Sequence, residues 1–256
     1  MGRLRAWLLG VLLLGPSAAP AEWRSLGPFG GDARSLAADP ANPDRMYLGT
    51  GTGQLYLSED GGGSWRRLEA LQAPTDWVVD NLVVDPAQPE VVYAAMYSLG
   101  TGGGGIFKTS DGGITWTLLE GMRGQSVRAL ALAPSNPQIL VAGTLEGVFR
   151  SRDAGRSWQR ISPAGHAEIH SVESVAIDPA NPEIVYAGTW HLPWKTTDGG
   201  AHWTSIKTGM IDDSDVFSIV IDPTRPSRIY ATACTGIYRS DNGGKQWRRI
   251  QGIPNS

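Results

Sequence analysis

Short apolar runs of four to six residues alternate along this chain with clusters of Pro, Gly, Asn and Asp. One stretch shows the pattern well: "SVAIDP" ends at Pro179, "IVYAGT" at Thr189, "LPWKTT" at Thr197, and "HWTSI" begins at His202. β-Branched and aromatic residues fill the runs and turn formers separate them, which predicts four short antiparallel strands, a to d.

The unit repeats. "DPANP" at Asp39 returns as "DPAQP" at Asp85, "APSNP" at Ala133, "DPANP" at Asp178 and "DPTRP" at Asp222. An eight-residue turn keeps step with it: "SEDGGGSW" at Ser58, "TSDGGITW" at Thr109, "SRDAGRSW" at Ser151, "TTDGGAHW" at Thr196 and "SDNGGKQW" at Ser240. Two motifs sharing a period of about 45 residues fit a propeller blade of four strands. The first motif is the a–b turn, where proline fixes φ and Asp bonds its own backbone. The second is the c–d turn. In it Asp60, Asp111, Asp153 and Asp198 accept loop hydrogen bonds, Asn242 stands in for the fifth, and glycine supplies positive φ. Trp65, Trp116, Trp158, Trp203 and Trp247 then open strand d and are expected to bury between sheets. A turn that recurs in every repeat and tolerates Asn for Asp is structural.

The pattern Ser/Thr-x-Asp-x-Gly-x-x-Trp resembles the Asp-box, or bacterial neuraminidase repeat. It is similar to that of the photosystem II stability/assembly factor family, sortilin-type receptors, xyloglucan-degrading glycoside hydrolases and sialidases. The resemblance implies an all-β fold, a β-propeller of four-stranded blades. It does not imply one function, because those relatives do unrelated things. "EWRSLGP" at Glu22 looks like a further strand d. The expectation is five full blades plus an orphan N-terminal strand in a domain over 22–256, either incomplete at its C-terminus as part of a six- or seven-bladed ring or closed as a five-bladed ring with a spare strand.

Residues 1–21 predict a secretory signal peptide. Arg3 and Arg5 precede an apolar run from Ala6 to Leu14, and Ala19-Pro20-Ala21 offers small residues for cleavage. No later segment approaches the length of a transmembrane helix. An exported protein, periplasmic or extracellular, is expected. Cys234 is the single cysteine, so no internal disulfide can form. Net charge −3 lacks the basic bias of a nucleic-acid binder.

Candidate chemistry falls on the b–c and d–a connections, which vary where the repeat does not demand it. "EALQAPTDWVVDN" carries Asp76, Trp77 and Asp80. It is similar to the early blade of the xyloglucan-degrading hydrolases, and that resemblance implies Asp76 as a catalytic base, its partner acid coming from a second propeller. "SPAGHAEIHSVES" and "TWHLPWK" place His166, Glu168, His170 and His191 on the same rim, with the first three pointing one way if the segment is extended. Zinc is one reading of that set and solvated loop histidines the other. Tyr97, Trp190 and Trp194 are candidate stacking platforms, although strand alternation would bury one of the two tryptophans. No cofactor is expected. The partner is read as a protein or an extended polysaccharide. The favoured function is a non-catalytic recognition or assembly scaffold resembling the photosystem II assembly-factor family, and the alternative is a carbohydrate-active protein.

Overall fold

The structure is a computed structural model and describes residues 26–28, 32–71, 73–100 and 102–251. The expected signal peptide and most of the orphan strand lie outside these residues. The rest forms five four-stranded antiparallel sheets, each made of strands consecutive in sequence. Blade 1 comprises β1 (Ala33–Ala38), β2 (Met46–Thr50), β3 (Leu55–Ser58) and β4 (Arg66–Arg67). Blade 2 comprises β5 (Trp77–Val84), β6 (Val92–Ser98), β7 (Gly104–Thr109) and β8 (Thr117–Leu118). Blade 3 holds β9 (Val127–Leu132), β10 (Leu140–Thr144), β11 (Val148–Ser151) and β12 (Gln159–Arg160). Blade 4 holds β13 (Val172–Ile177), β14 (Val185–Thr189), β15 (Pro193–Thr196) and β16 (Thr204–Ser205). Blade 5 holds β17 (Val216–Ile221), β18 (Ile229–Ala233), β19 (Gly236–Ser240) and β20 (Arg248–Arg249).

The core is divided among the blade junctions. Tyr47, Leu55 and Leu57 of blade 1 pack on Val79, Val92 and Ala94 of blade 2. Equivalent clusters join blades 2 and 3, 3 and 4, and 4 and 5. The first strands β1, β5, β9, β13 and β17 lie side by side in that order. They are therefore the inner strands of an arc. The outer faces of the end blades are not covered in this way: Leu36 on β1 is 63% exposed, and Phe217 and Val220 on β17 are 52% and 57% exposed.

The repeated turns do two jobs. Within a blade, the Ser58 hydroxyl donates to Asp60, and the Ser64 N–H and hydroxyl donate to the same carboxylate. Blades 2 and 3 repeat this through Asp111 and Asp153. In blade 4 the His202 ring lies 2.6 Å from Asp198, and in blade 5 Asn242 Oδ1 still accepts from the Ser240 hydroxyl and the Gln246 N–H. Between blades, the second turn glycine lies against the aliphatic residue three places after the preceding tryptophan. A Cβ on Gly113, Gly155, Gly200 or Gly244 would come within 2.5–2.8 Å of Leu68, Leu119, Ile161 or Ile206.

The tryptophans are less buried than expected. Trp247 is 2% exposed, and the other four are half-buried. The indole N–H of Trp65, Trp203 and Trp247 donates to the backbone oxygens of Leu26, Ile161 and Ile206. Leu26 stands three places after Trp23 and so takes the position that Ile161 and Ile206 hold for the later blades. Residues 26–28, the described part of the expected orphan strand, are not strand.

Candidate functional site

The rim opposite the repeated turns gathers most of the candidate residues. Asp76 lies just before β5, and its carboxylate accepts a 2.7 Å hydrogen bond from Ser98 at the end of β6. Trp77 is half-buried with its edge toward Phe107, the centroids 6.3 Å apart. Tyr97 is buried, and the Arg128 guanidinium covers its ring at 3.9 Å, so the ring offers no free stacking face.

The histidine segment before blade 4 is a series of turns and bends, not extended chain. His166 Nδ1 accepts from the N–H groups of Glu168 and Ile169, which curls the segment and breaks the common direction expected of His166, Glu168 and His170. Glu168 lies 3.8 Å from His191. His170 Nε2 accepts from the Trp190 indole N–H at 3.0 Å. Among the described residues no three His, Cys, Asp or Glu side chains come together as a metal site. The two tryptophans divide as alternation allows. Trp194 is 9% exposed with its ring edge-on to His166, while Trp190 is 40% exposed, with the His170 and His191 rings 5.4 and 5.5 Å away. One aromatic platform results, and Trp190 is its centre.

A second constellation has no letter-by-letter signature in the sequence. Each inner strand carries a register shift opposite its neighbour, at the second residue of the strand in blades 1, 3, 4 and 5 and at the fourth in blade 2. The extra residue is Arg34, Asp80, Arg128, Glu173 and Phe217 in blades 1 to 5. Bulges re-aim side chains, and here they set opposite charges on adjacent blades. Arg128 pairs with Glu173 at 3.4 Å. Burial raises the Asp80 carboxyl to about 6, with Arg128 and Arg34 opposing the rise and Glu173 adding to it. Its charged neighbours come from blades 1, 3 and 4. Burial likewise raises Glu173, against Arg128 and with help from Asp215.

A concavity of about 690 Å³ lies elsewhere, between the outermost strand of blade 3 and the repeated turn of blade 4. The arginines nearest blade 4 there are structural: Arg150 donates to Glu183 and to the Pro182 oxygen, and Arg152 to Glu183, tying the two blades together.

Comparison with known proteins agrees with the blades. A family model described as sortilin, neurotensin receptor 3 matches residues 146–254. A xyloglucanase from a Paenibacillus species is 30% identical over 168 residues, covering 57% of this chain and 16% of the relative. The crystal structure of an ancestral GH74 enzyme superposes with a TM-score of 0.70 at 21% identity, over 91% of this chain and 33% of that one. YCF48 from Cyanidioschyzon merolae superposes with a TM-score of 0.53 at 15% identity, over 90% and 89% of the two chains. YCF48 bound to D1 peptide gives 0.59 at 16% identity, over 86% and 68%. The chain thus spans less than a quarter of the length of the xyloglucanases it matches. It is an all-β propeller protein, similar in its blades to sortilin-type proteins, GH74 xyloglucanases and YCF48.

Proposed function

We propose that this chain is a non-catalytic recognition scaffold that works outside the cytoplasm and binds a protein partner on the rim opposite its repeated turns. The observation that carries this reading is Trp190, an exposed ring held in orientation by its own hydrogen bond to His170 and flanked by His191. An aromatic face whose tilt is already fixed gives up little rotamer entropy on contact, which is what a recognition surface needs. The structure of YCF48 bound to D1 peptide supports a peptide as the class of partner.

A carbohydrate-active protein is the second reading, favoured by Asp76 at a position that resembles a catalytic base and by the xyloglucanase relatives. Glycoside hydrolysis needs two carboxyl groups on opposite sides of one bond, roughly 5–10 Å apart. In the resembling hydrolases a second propeller supplies one of them. Reducing-sugar release over a panel of xyloglucan, other β-glucans and sialosides separates the two readings. The scaffold reading expects no release from the parent or from Asp76→Ala. Turnover by the parent that disappears in Asp76→Ala would make the protein a hydrolase and overturn it.

A further inference from the structure

One ring nitrogen at the Trp190 platform has two partners that it cannot serve together. His170 Nε2 lies 3.0 Å from the Trp190 indole nitrogen and 3.1 Å from the Ala167 carbonyl oxygen. The indole N–H only donates and the carbonyl only accepts. Without a proton, Nε2 takes the Trp190 bond; with one, it donates to Ala167. Nδ1 is 3.2 Å from the Ser171 hydroxyl, which can accept its proton in either state. The neutral ring protonated on Nδ1 therefore holds Trp190, and the doubly protonated ring holds Ala167 instead. The backbone beside this pair is strained. Ser171 has φ of +46° and Leu192 of +67°, two of the four left-handed non-glycine residues among the described residues. Strain of that kind gathers at clamps and switches, where surrounding contacts enforce it. Here the Ser171, Trp190 and Leu192 N–H groups donate to Leu145, Ser171 and Ser214 oxygens, which anchors the backbone. The exposed Trp190 side chain is the part left to respond.

We propose that His170 is a pH switch on the recognition face: uncharged, it fixes the Trp190 ring for a partner, and charged, it turns to Ala167 and releases that ring. The inference rests on the scaffold reading, because it regulates the same face. Histidine is the side chain whose charge changes between roughly pH 5 and 8. Charged groups from each element packed here bear on the choice. On its own segment, Glu168 favours a charged His170 and a protonated His166 opposes it. Across the platform His191 also opposes it, with its ring 5.5 Å from Trp190 and 3.8 Å from Glu168. The blade 3 loop that accepts the Ser171 N–H brings Glu146, whose backbone oxygen accepts from Arg160. The connection that accepts the Leu192 N–H brings Asp212, Asp213 and Asp215, with Lys207 paired to Asp212. Carboxylates from three elements thus favour the charged ring, and the Trp190 bond favours the neutral one. A released indole must be ordered again when a partner arrives, so binding weakens in acid.

The test uses the full chain with its tryptophans labelled on the indole nitrogen, and Trp190→Phe identifies the Trp190 signal by NMR. At pH 7.5 that N–H should exchange slowly with water; toward pH 5 it should shift and exchange fast, in step with the His170 ring protons. His170→Gln, whose amide oxygen can accept the indole N–H at any pH, should keep the slow state throughout. His170→Ala should show the fast state throughout, and His202→Gln, on a repeated turn, should titrate like the parent. A Trp190 signal constant between the two pH values, or a titration that persists in His170→Gln, would overturn the switch. The second arm uses a peptide without Asp, Glu or His, selected from a random-sequence library at pH 7.5. It should bind the parent about fivefold more weakly at pH 5, the worth of one hydrogen bond, and bind His170→Gln equally at both. A peptide that shifts Trp190 with equal affinity at both pH values would remove the switch and leave the scaffold reading standing. An indole that titrates as expected while no selected peptide shifts it would keep the switch and remove the scaffold reading.

Discussion

Glycine at the fifth position of each repeated turn is fixed by two constraints at once. Gly113 has φ of +93°, and a Cβ on it would lie 2.7 Å from Leu68 of the preceding blade. Gly113→Ala therefore strains the backbone and forces Leu68 aside, a loss of roughly 1–3 kcal/mol. Chemical denaturation measures it, and a midpoint equal to the parent's would show that the junction is not close-packed there. Titration adds a second test at this scale. Hydrogen bonds led by Ser64, Thr109 and Ser157 hold Asp60, Asp111 and Asp153 at about 2, below the ordinary 3.8. Their stabilisation is complete above pH 4 and is lost as pH falls toward 2. Asp80 acts with the opposite sign. Its native carboxyl binds a proton before the unfolded one does, so its contribution is most favourable below pH 4 and declines as pH rises to 6. Asp80→Asn should therefore match the parent in Tm near pH 4. At pH 7.5 it should exceed the parent by about 1 kcal/mol, discounted for solvent contact, or roughly 2–4 °C. A variant that melted below the parent at pH 7.5 would contradict a net cost of burying the Asp80 carboxylate.

Among elements, the strands and turns were legible from the chain alone because each depends on neighbours in sequence. Alternating apolar runs, the DPxNP turn and the glycine-rich turn mark the same hairpins that the sheets contain. Contacts between repeats were not legible. The packing of Leu68 on Gly113, or Ile206 on Gly244, joins residues some forty places apart, and nothing local announces it. The bulges were hidden for another reason: their extra residues are Arg, Asp, Arg, Glu and Phe, so the shared position has no shared letter. The histidine segment misled in a specific way. Its i, i+2, i+4 spacing suits a strand, but the His166 ring caps two backbone N–H groups and bends the chain. The tryptophans make the same point energetically. Trp247 is buried and its indole bonds Ile206, whereas Trp158 is half-buried and bonds Gly155 within its own turn. Trp247→Ala should cost about 3–5 kcal/mol and Trp158→Ala distinctly less. Denaturation midpoints in the reverse order would show that the indole contacts do not govern the junctions.

At the scale of the whole molecule, the two rims divide the work. One carries five repeated turns whose carboxylates and glycines are used up in holding hairpins and junctions. The other carries Asp76 and the Trp190 platform. No helix among the described residues is long and apolar enough to cross a membrane. The most direct test of this division is a hydrogen-exchange footprint of the full chain with and without a saturating peptide selected from a random-sequence library at pH 7.5. Slowed exchange is expected at 76–81 and 189–192, with exchange in the turns at 58–65, 109–116, 151–158, 196–203 and 240–247 unchanged. Protection centred on those turns, with none at 76–81 or around Trp190, would contradict a binding face on the opposite rim.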